Sequence, residues 1–161
     1  MALCFDEEGF ALFESDAWKD RIDQIIENAL RIKKRVVEED VKEQGLRKAL
    51  NFGHTLGHGI ESLHAENGLL HGECVALGML PMCAPDVRQR LMPVLKRLKL
   101  PTACAADPDR VMAAVVHDKK AADGKITAVT AEKAGSCRMT EMTPEELKER
   151  YTAQFGNGNA G

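Results

Sequence analysis

The stretch LRKALNFGHTLGHGIESL, Leu46 to Leu63, decides how this chain is read. Its apolar residues Ala49, Phe52, Leu56, Ile60 and Leu63 recur at three- and four-residue steps, as the core-facing stripe of a helix does. At about 100° per residue, Arg47, Asn51, His54, His58 and Glu61 fall on the opposite side within an arc of roughly 80°. Solvated helix faces are built mainly from Lys and Glu, whereas His and Asn are indifferent helix formers. The arc therefore reads as a functional face, with an ordinary solvated surface as the alternative. Gly53, Gly57 and Gly59 each cost about 1 kcal/mol against Ala inside a helix, so something must offset them. Gly53 and Gly57 lie four apart on a strip beside the polar arc, where a ligand or another backbone can come close. Tight helix packing explains them equally well.

Outward from this segment the pattern stays helical. Trp18, Ile22, Ile25, Ile26, Ala29, Ile32, Val36 and Val37 give an amphipathic helix from Asp16 to about Glu39, capped by Ser15 or Asp16. A third helix opens near Gly72 with Val75, Ala76, Met79 and Leu80, and Pro81 stops it. Pro85 to Leu91 and Pro93 to Lys99 are proline-started segments that could join as one kinked helix. Asp107 and Pro108 start a helix through Val111, Met112 and Val115. Thr143-Pro144-Glu145-Glu146 combines a cap, a first-turn proline and a capping-box glutamate before a last helix near Glu145 to Gln154. Lys125 to Thr130 and Ser136 to Glu141 alternate like strands around Glu132 to Gly135. The expected fold class is mainly α: one multi-helical domain, residues 1–155, with a small β-hairpin at about residues 125–141. The Gly/Asn-rich tail, 156–161, is expected to be disordered.

Composition removes several function classes. The chain has 161 residues, 44% of them hydrophobic, and a net charge of -3, which suits one core and offers no basic field for nucleic acid. No apolar run approaches the roughly 18 to 20 residues of a membrane span, and Asp6, Glu7 and Glu8 stand where a leader peptide would be basic. The five cysteines, Cys4, Cys74, Cys83, Cys104 and Cys137, form no CxxC pair. A disulfide framework or thiolate zinc site is therefore not expected, and a reducing cytoplasm is.

His54 and His58, at i and i+4, face the same way, as two ligands of one metal would. Thr55 occupies the place where a zincin carries glutamate, which excludes that motif. His71 follows the turn-like Glu66-Asn67-Gly68 and opens the next helix, so a turn could swing it back onto His54 or His58. Lys33 sits in the middle of the first helix's apolar stripe. It either snorkels to an edge or presents a desolvated cation to an anionic ligand. Asp118-Lys119-Lys120 is a solvated loop or an anion contact.

Taken together, Lys33-x-x-Val36-Val37, Gly45-Leu46-Arg47, Leu50-Asn51-Phe52-Gly53-His54-Thr55-x-Gly57-His58-x-Ile60-Glu61 and Leu70-His71-Gly72-Glu73 resemble the signature of 3-dehydroquinate synthases. The likeness extends to Asp118-Lys119-Lys120 and the hairpin. It implies the C-terminal half of a two-domain dehydroquinate synthase-like α/β enzyme, a lyase of aromatic amino acid synthesis that uses NAD and a divalent zinc or cobalt ion. It also implies that His54 and His71 are metal ligands, with His58 contacting substrate near its phosphate, where spacing alone paired His54 with His58. Lys33, Arg47, Asn51 and Lys119 or Lys120 would hold the sugar-phosphate substrate, and Glu43 would be an acid/base candidate. The family's N-terminal NAD-binding domain would precede this chain, as would an Ala-Glu-x-x-Lys segment whose glutamate completes the metal site. Met1 falls where that segment would end, so the chain alone is expected to show negligible catalysis and weak metal binding. Asp40-Val41 stands where the family has Asp-Glu. A homodimer is expected, through apolar surface around Leu3, Phe5, Phe10 and Phe13. Two alternatives stay open: a related cyclase of the inosose or valiolone type, and a non-catalytic metal-binding helical module.

Overall fold

The computed structural model describes residues 1–42, 45–118 and 124–156. Two short helices, α1 (Ala2–Phe5) and α2 (Glu7–Phe13), lead through a 3-10 turn at Asp16–Arg21 into the long α3 (Ile22–Glu39). A second 3-10 turn, Leu46–Asn51, precedes α4 (His54–Glu61), the one-turn α5 (His64–Asn67) and α6 (His71–Met79). Beyond a 3-10 turn at Leu80–Met82 follow α7 (Pro85–Arg97) and α8 (Pro108–Asp118), then the strands β1 (Ile126–Lys133) and β2 (Ser136–Met142), then α9 (Pro144–Phe155). The mainly α class with one antiparallel hairpin is thus as expected. The expected tail, from 157 onward, lies outside the described residues.

Local chemistry accounts for most of the boundaries. Glu146 N–H donates to the Thr143 hydroxyl (3.2 Å) while Thr143 N–H donates to the Glu146 carboxylate (2.8 Å), which closes the capping box of α9. Asp107 accepts from Arg110 N–H at 3.0 Å and starts α8. The two proline-started segments are one helix, α7, with Pro93 inside it. Pro93 cannot donate to Gln89, but Gln89 is exposed, so water can satisfy that carbonyl. The hairpin pairs Ile126 with Met142 and Thr130 with Arg138, and a bulge falls between Ala131 and Lys133. Its Gly135 turn donates to the Leu3 carbonyl (2.8 Å), which ties it to α1.

The core lies where α4, α6, α8 and α9 meet the hairpin. Leu56, Ile60, Leu77, Val111, Leu147 and Tyr151 are all fully buried, and each such aliphatic or aromatic side chain contributes about 1.5–3 kcal/mol of transfer free energy. The Tyr151 hydroxyl is satisfied inside this core by donating to the Ala106 carbonyl (3.0 Å).

Three expectations need correction. Leu46 to Leu63 is not one helix. The chain breaks at Phe52 and Gly53, where Gly53 takes φ +82°, a left-handed backbone that costs other L-residues about 1–2 kcal/mol. Arg47 and Asn51 therefore belong to a 3-10 turn, and only His54, His58 and Glu61 share a helix. Secondly, the helix placed from Asp16 begins as a 3-10 turn, with Ser15 accepting from Ala17 N–H (3.2 Å), and becomes α-helical only at Ile22. Its apolar stripe is only partly covered: Val36 is buried and Ile25, Ala29, Ile32 and Val37 are half-buried, whereas Ile22 and Ile26 are 43% and 51% exposed, with Leu30 beside them 63% exposed. Lys33 is exposed, which fits the reading that it reaches an edge and not the alternative of a desolvated cation. Thirdly, Leu3 and Phe10 are buried and Phe5 and Phe13 half-buried; Leu3, Phe10 and Phe13 line an apolar groove shared with α3, and the strongly exposed apolar residues beside it are those of α3.

Candidate metal centre

The glycines of α4 prove to be packing residues. A Cβ at Gly57 would come within 3.0 Å of the Val75 Cα, and one at Gly53 within 2.6 Å of the Val75 carbonyl oxygen, while Gly78 meets the backbone of Gly53 and Gly57. Residue 53 thus faces 78 and residue 57 faces 74 and 75. Along this descending, antiparallel register the next turn of α4 brings position 61 opposite position 71. His71 Nδ1 and a Glu61 carboxylate oxygen indeed lie 2.8 Å apart. The first residue of α6 reaches the polar edge of α4 because two backbones approach where no side chain intervenes.

Three imidazoles converge there. Ring centroids are separated by 5.4 Å for His54 and His58, 5.5 Å for His54 and His71, and 5.9 Å for His58 and His71. His58, Glu61 and His71 also bring one donor atom each within 4.8 Å of one another. His54 is half-buried at the start of α4, and its Nδ1 lies 3.4 Å from the Phe52 carbonyl oxygen. Burial pushes its pKa below the ordinary imidazole value, reinforced by the two neighbouring rings and opposed by the Phe52 carbonyl. The uncharged ring that can bind a cation is thereby favoured. Hydrogen bonding to His71 holds the Glu61 carboxyl below the usual carboxylate range.

The turn before α4 carries the other polar groups. Asp40 accepts from Gly45 N–H (2.7 Å) and Arg47 N–H (3.0 Å), and the Arg47 guanidinium donates to the Val41 carbonyl (3.3 Å). The carboxylate kept at position 40 is therefore structural: it folds the turn that presents Arg47 and Asn51. Lys33 lies on α3, which packs against that turn. The structure thus assembles His54, His58 and His71, places Arg47 and Asn51 on the adjoining turn, and leaves Lys33 exposed on a separate helix. Glu43, Lys119 and Lys120 lie outside the described residues. Glu61 was named in the polar arc without a role. The signal that would have assigned it one is the antiparallel α4 and α6 register, which the Gly53, Gly57 and Gly78 spacing encodes.

A family model described as 3-dehydroquinate synthase C-terminal matches residues 1–121. Relatives include the 3-dehydroquinate synthase of Rhodospirillum rubrum, 43% identical over 150 residues, covering 81% of this chain and 38% of that protein. That of Pelobacter propionicus is 36% identical over 146 residues, covering 84% and 40%. The chain thus spans about 40% of the length of the curated relatives it matches. One similar solved structure is 2-epi-5-epi-valiolone synthase from Streptomyces hygroscopicus subsp. jinggangensis with NAD+ and Zn2+ bound (TM-score 0.76, 22% identity, 95% of this chain and 48% of that one). Another is 2-deoxy-scyllo-inosose synthase complexed with carbaglucose-6-phosphate, NAD+ and Co2+ (TM-score 0.74, 20% identity, 96% and 48%). At such identities the likeness to these two establishes a shared fold.

Proposed function

Because this chain belongs to the 3-dehydroquinate synthase C-terminal family, we propose that it forms the metal- and substrate-facing part of a 3-dehydroquinate synthase. That lyase turns 3-deoxy-arabino-heptulosonate 7-phosphate into 3-dehydroquinate with loss of phosphate, on the shikimate route to aromatic amino acids in the cytoplasm. The observation that carries the reading is the convergence of three imidazoles at 5.4–5.9 Å beside a turn bearing Arg47 and Asn51.

The donor set suits a borderline divalent ion such as zinc or cobalt, since imidazole is a preferred ligand of both and burial disfavours the charged form of His54. His54 and His71 would hold the ion, and a carboxylate from beyond this chain would complete the set. When bound, the ion supplies Lewis-acid polarisation of a substrate hydroxyl. The remaining work falls to this chain's polar groups. His58, exposed beside both candidate ligands, would donate to a phosphate oxygen. Arg47 offers a planar fork that matches a carboxylate or phosphate bidentately, and Asn51 offers an amide to substrate hydroxyls. Lys33 would add a cation from α3, which packs against the turn bearing Arg47 and Asn51. Glu43 as an acid/base group and Lys119 as an anion contact keep their proposed roles. The described residues do not fit NAD: their only sheet is a two-stranded antiparallel hairpin, and a dinucleotide site needs a parallel sheet with a glycine-rich strand-to-helix turn. NAD is therefore assigned to the N-terminal domain of the complete enzyme, the proposed partner of this chain in a homodimeric assembly.

The test pairs this chain with the N-terminal half of a related synthase and measures zinc-dependent phosphate release. Release from the heptulosonate phosphate with the pair, and negligible release with this chain alone, is expected. Release only from a different sugar phosphate would replace the reading with a related cyclase. A second reading, a stand-alone metal-binding module, rests on the closeness of His58, Glu61 and His71. It predicts one tightly held zinc per isolated chain.

A further inference from the structure

We infer that Glu61 is a positioning residue: its carboxylate accepts the Nδ1–H of His71, fixes the tautomer of that ring and leaves Nε2 as the nitrogen that faces a metal. The inference rests on the reading of His71 as a ligand and assigns a group that the ligand set does not contain.

Three observations carry it. The first is a distance. Two donors sharing a tetrahedral zinc at about 2.0–2.1 Å stand about 3.3–3.4 Å apart, whereas Glu61 Oε2 and His71 Nδ1 are 2.8 Å apart, at hydrogen-bond separation. Their separation is that of a hydrogen-bonded pair and is shorter than that of two ligands of one ion. The second is the register. Glu61 meets His71 because Gly53, Gly57 and Gly78 let α4 and α6 approach to backbone contact, so the pairing is built by the least compressible part of the molecule and is not a chance meeting of surface side chains. The third is the parallel at His54, whose Nδ1 lies 3.4 Å from the Phe52 carbonyl oxygen. Both candidate ligands engage Nδ1 with an oxygen acceptor and so leave Nε2 for another partner. A ligating histidine commonly donates its other N–H to a carboxylate or carbonyl, which raises the basicity of the ring and fixes its plane.

The decisive measurement needs no metal and no turnover. In the 15N-labelled chain at about pH 8, above the ordinary imidazole range, two-bond proton–nitrogen correlations read the His71 tautomer directly. The proton is expected on Nδ1. Glu61→Gln retains a carbonyl acceptor and should keep that tautomer, while Glu61→Ala should move proton population to Nε2. Zinc titrated into the same proteins by calorimetry should bind roughly 10- to 100-fold more weakly to Glu61→Ala, with Glu61→Gln between it and the unmodified chain. A wild-type His71 protonated on Nε2 would overturn the inference. So would a Glu61→Ala protein that loses zinc with its tautomer unmoved, which would make Glu61 a direct ligand. His71→Ala separates the two levels. If it loses zinc while His71 of the unmodified chain carries its proton on Nε2, the inference falls and the ligand reading stands. If it binds zinc like the unmodified chain while the tautomer is as expected, the ligand reading falls, and with it the metal-facing half of the inference.

Discussion

A Cβ at Gly57 would come within 3.0 Å of the Val75 Cα, and most of the site's geometry descends from that constraint. Filling the seam forces α4 and α6 apart. Gly57→Ala should cost about 1–3 kcal/mol from overpacking, and Gly53→Ala about 2–4 kcal/mol because left-handed strain adds to the clash. Urea denaturation midpoints check both, and losses under about 0.5 kcal/mol would mean that the helices are not in backbone contact. At the same scale, His54→Ala and His71→Ala should each weaken zinc binding by about tenfold or more, and His58→Ala by much less, measured by competition with a chromophoric chelator. Equal losses at all three positions would contradict the division of roles between ligands and substrate contact.

At the level of elements, the terminal signals near α8 and α9 were legible because they are local. A cap satisfies orphan N–H groups within one turn, whatever the rest of the fold does. Thr143→Ala should therefore cost about 1 kcal/mol, seen as a lower urea midpoint with α9 otherwise intact. The helix reading across Phe52 failed because hydrophobic periodicity is nearly continuous through the break, and only the packing of Gly53 against α6 shows why the chain must turn left-handed there. A long-range ion pair was equally invisible: Arg90 on α7 grips both carboxylate oxygens of Glu14, at 2.7 and 2.8 Å, just after α2. Arg90 holds the Glu14 carboxyl below the usual carboxylate range. A depressed folded-state pKa adds stability that is present above the ordinary carboxylate range and lost as pH falls through the lowered value. The difference in urea midpoint between the wild type and Arg90→Gln should accordingly narrow as the medium is acidified from neutrality. A difference that widens on acidification would contradict the pairing.

For the molecule as a whole, the unbalanced feature is α3. Its Ile25, Ala29 and Ile32 line an apolar groove of about 400 Å3 shared with Phe10, Val75, Met79 and Leu91, while Ile22, Ile26 and Leu30 are exposed on the same helix. Among the described residues no helix is long and apolar enough to cross a membrane. The chain spans about 40% of its relatives' length, and on the proposed reading this face meets the rest of the enzyme. Without that cover the isolated chain should associate as its concentration rises, and Ile26→Glu with Leu30→Glu should suppress it. A concentration-independent monomer in sedimentation velocity would count against the expectation. The sequence by itself determined the helical class, the hairpin, the caps and the identity of the chemically distinctive histidines, because periodicity, capping and residue type act within a few positions along the chain. Only the tertiary structure decided that Leu46 to Leu63 is broken, that part of the apolar face of α3 is left exposed, and that Glu61 closes on His71. Each of those outcomes depends on which surfaces meet across space, where backbone contact and burial far outweigh local propensity.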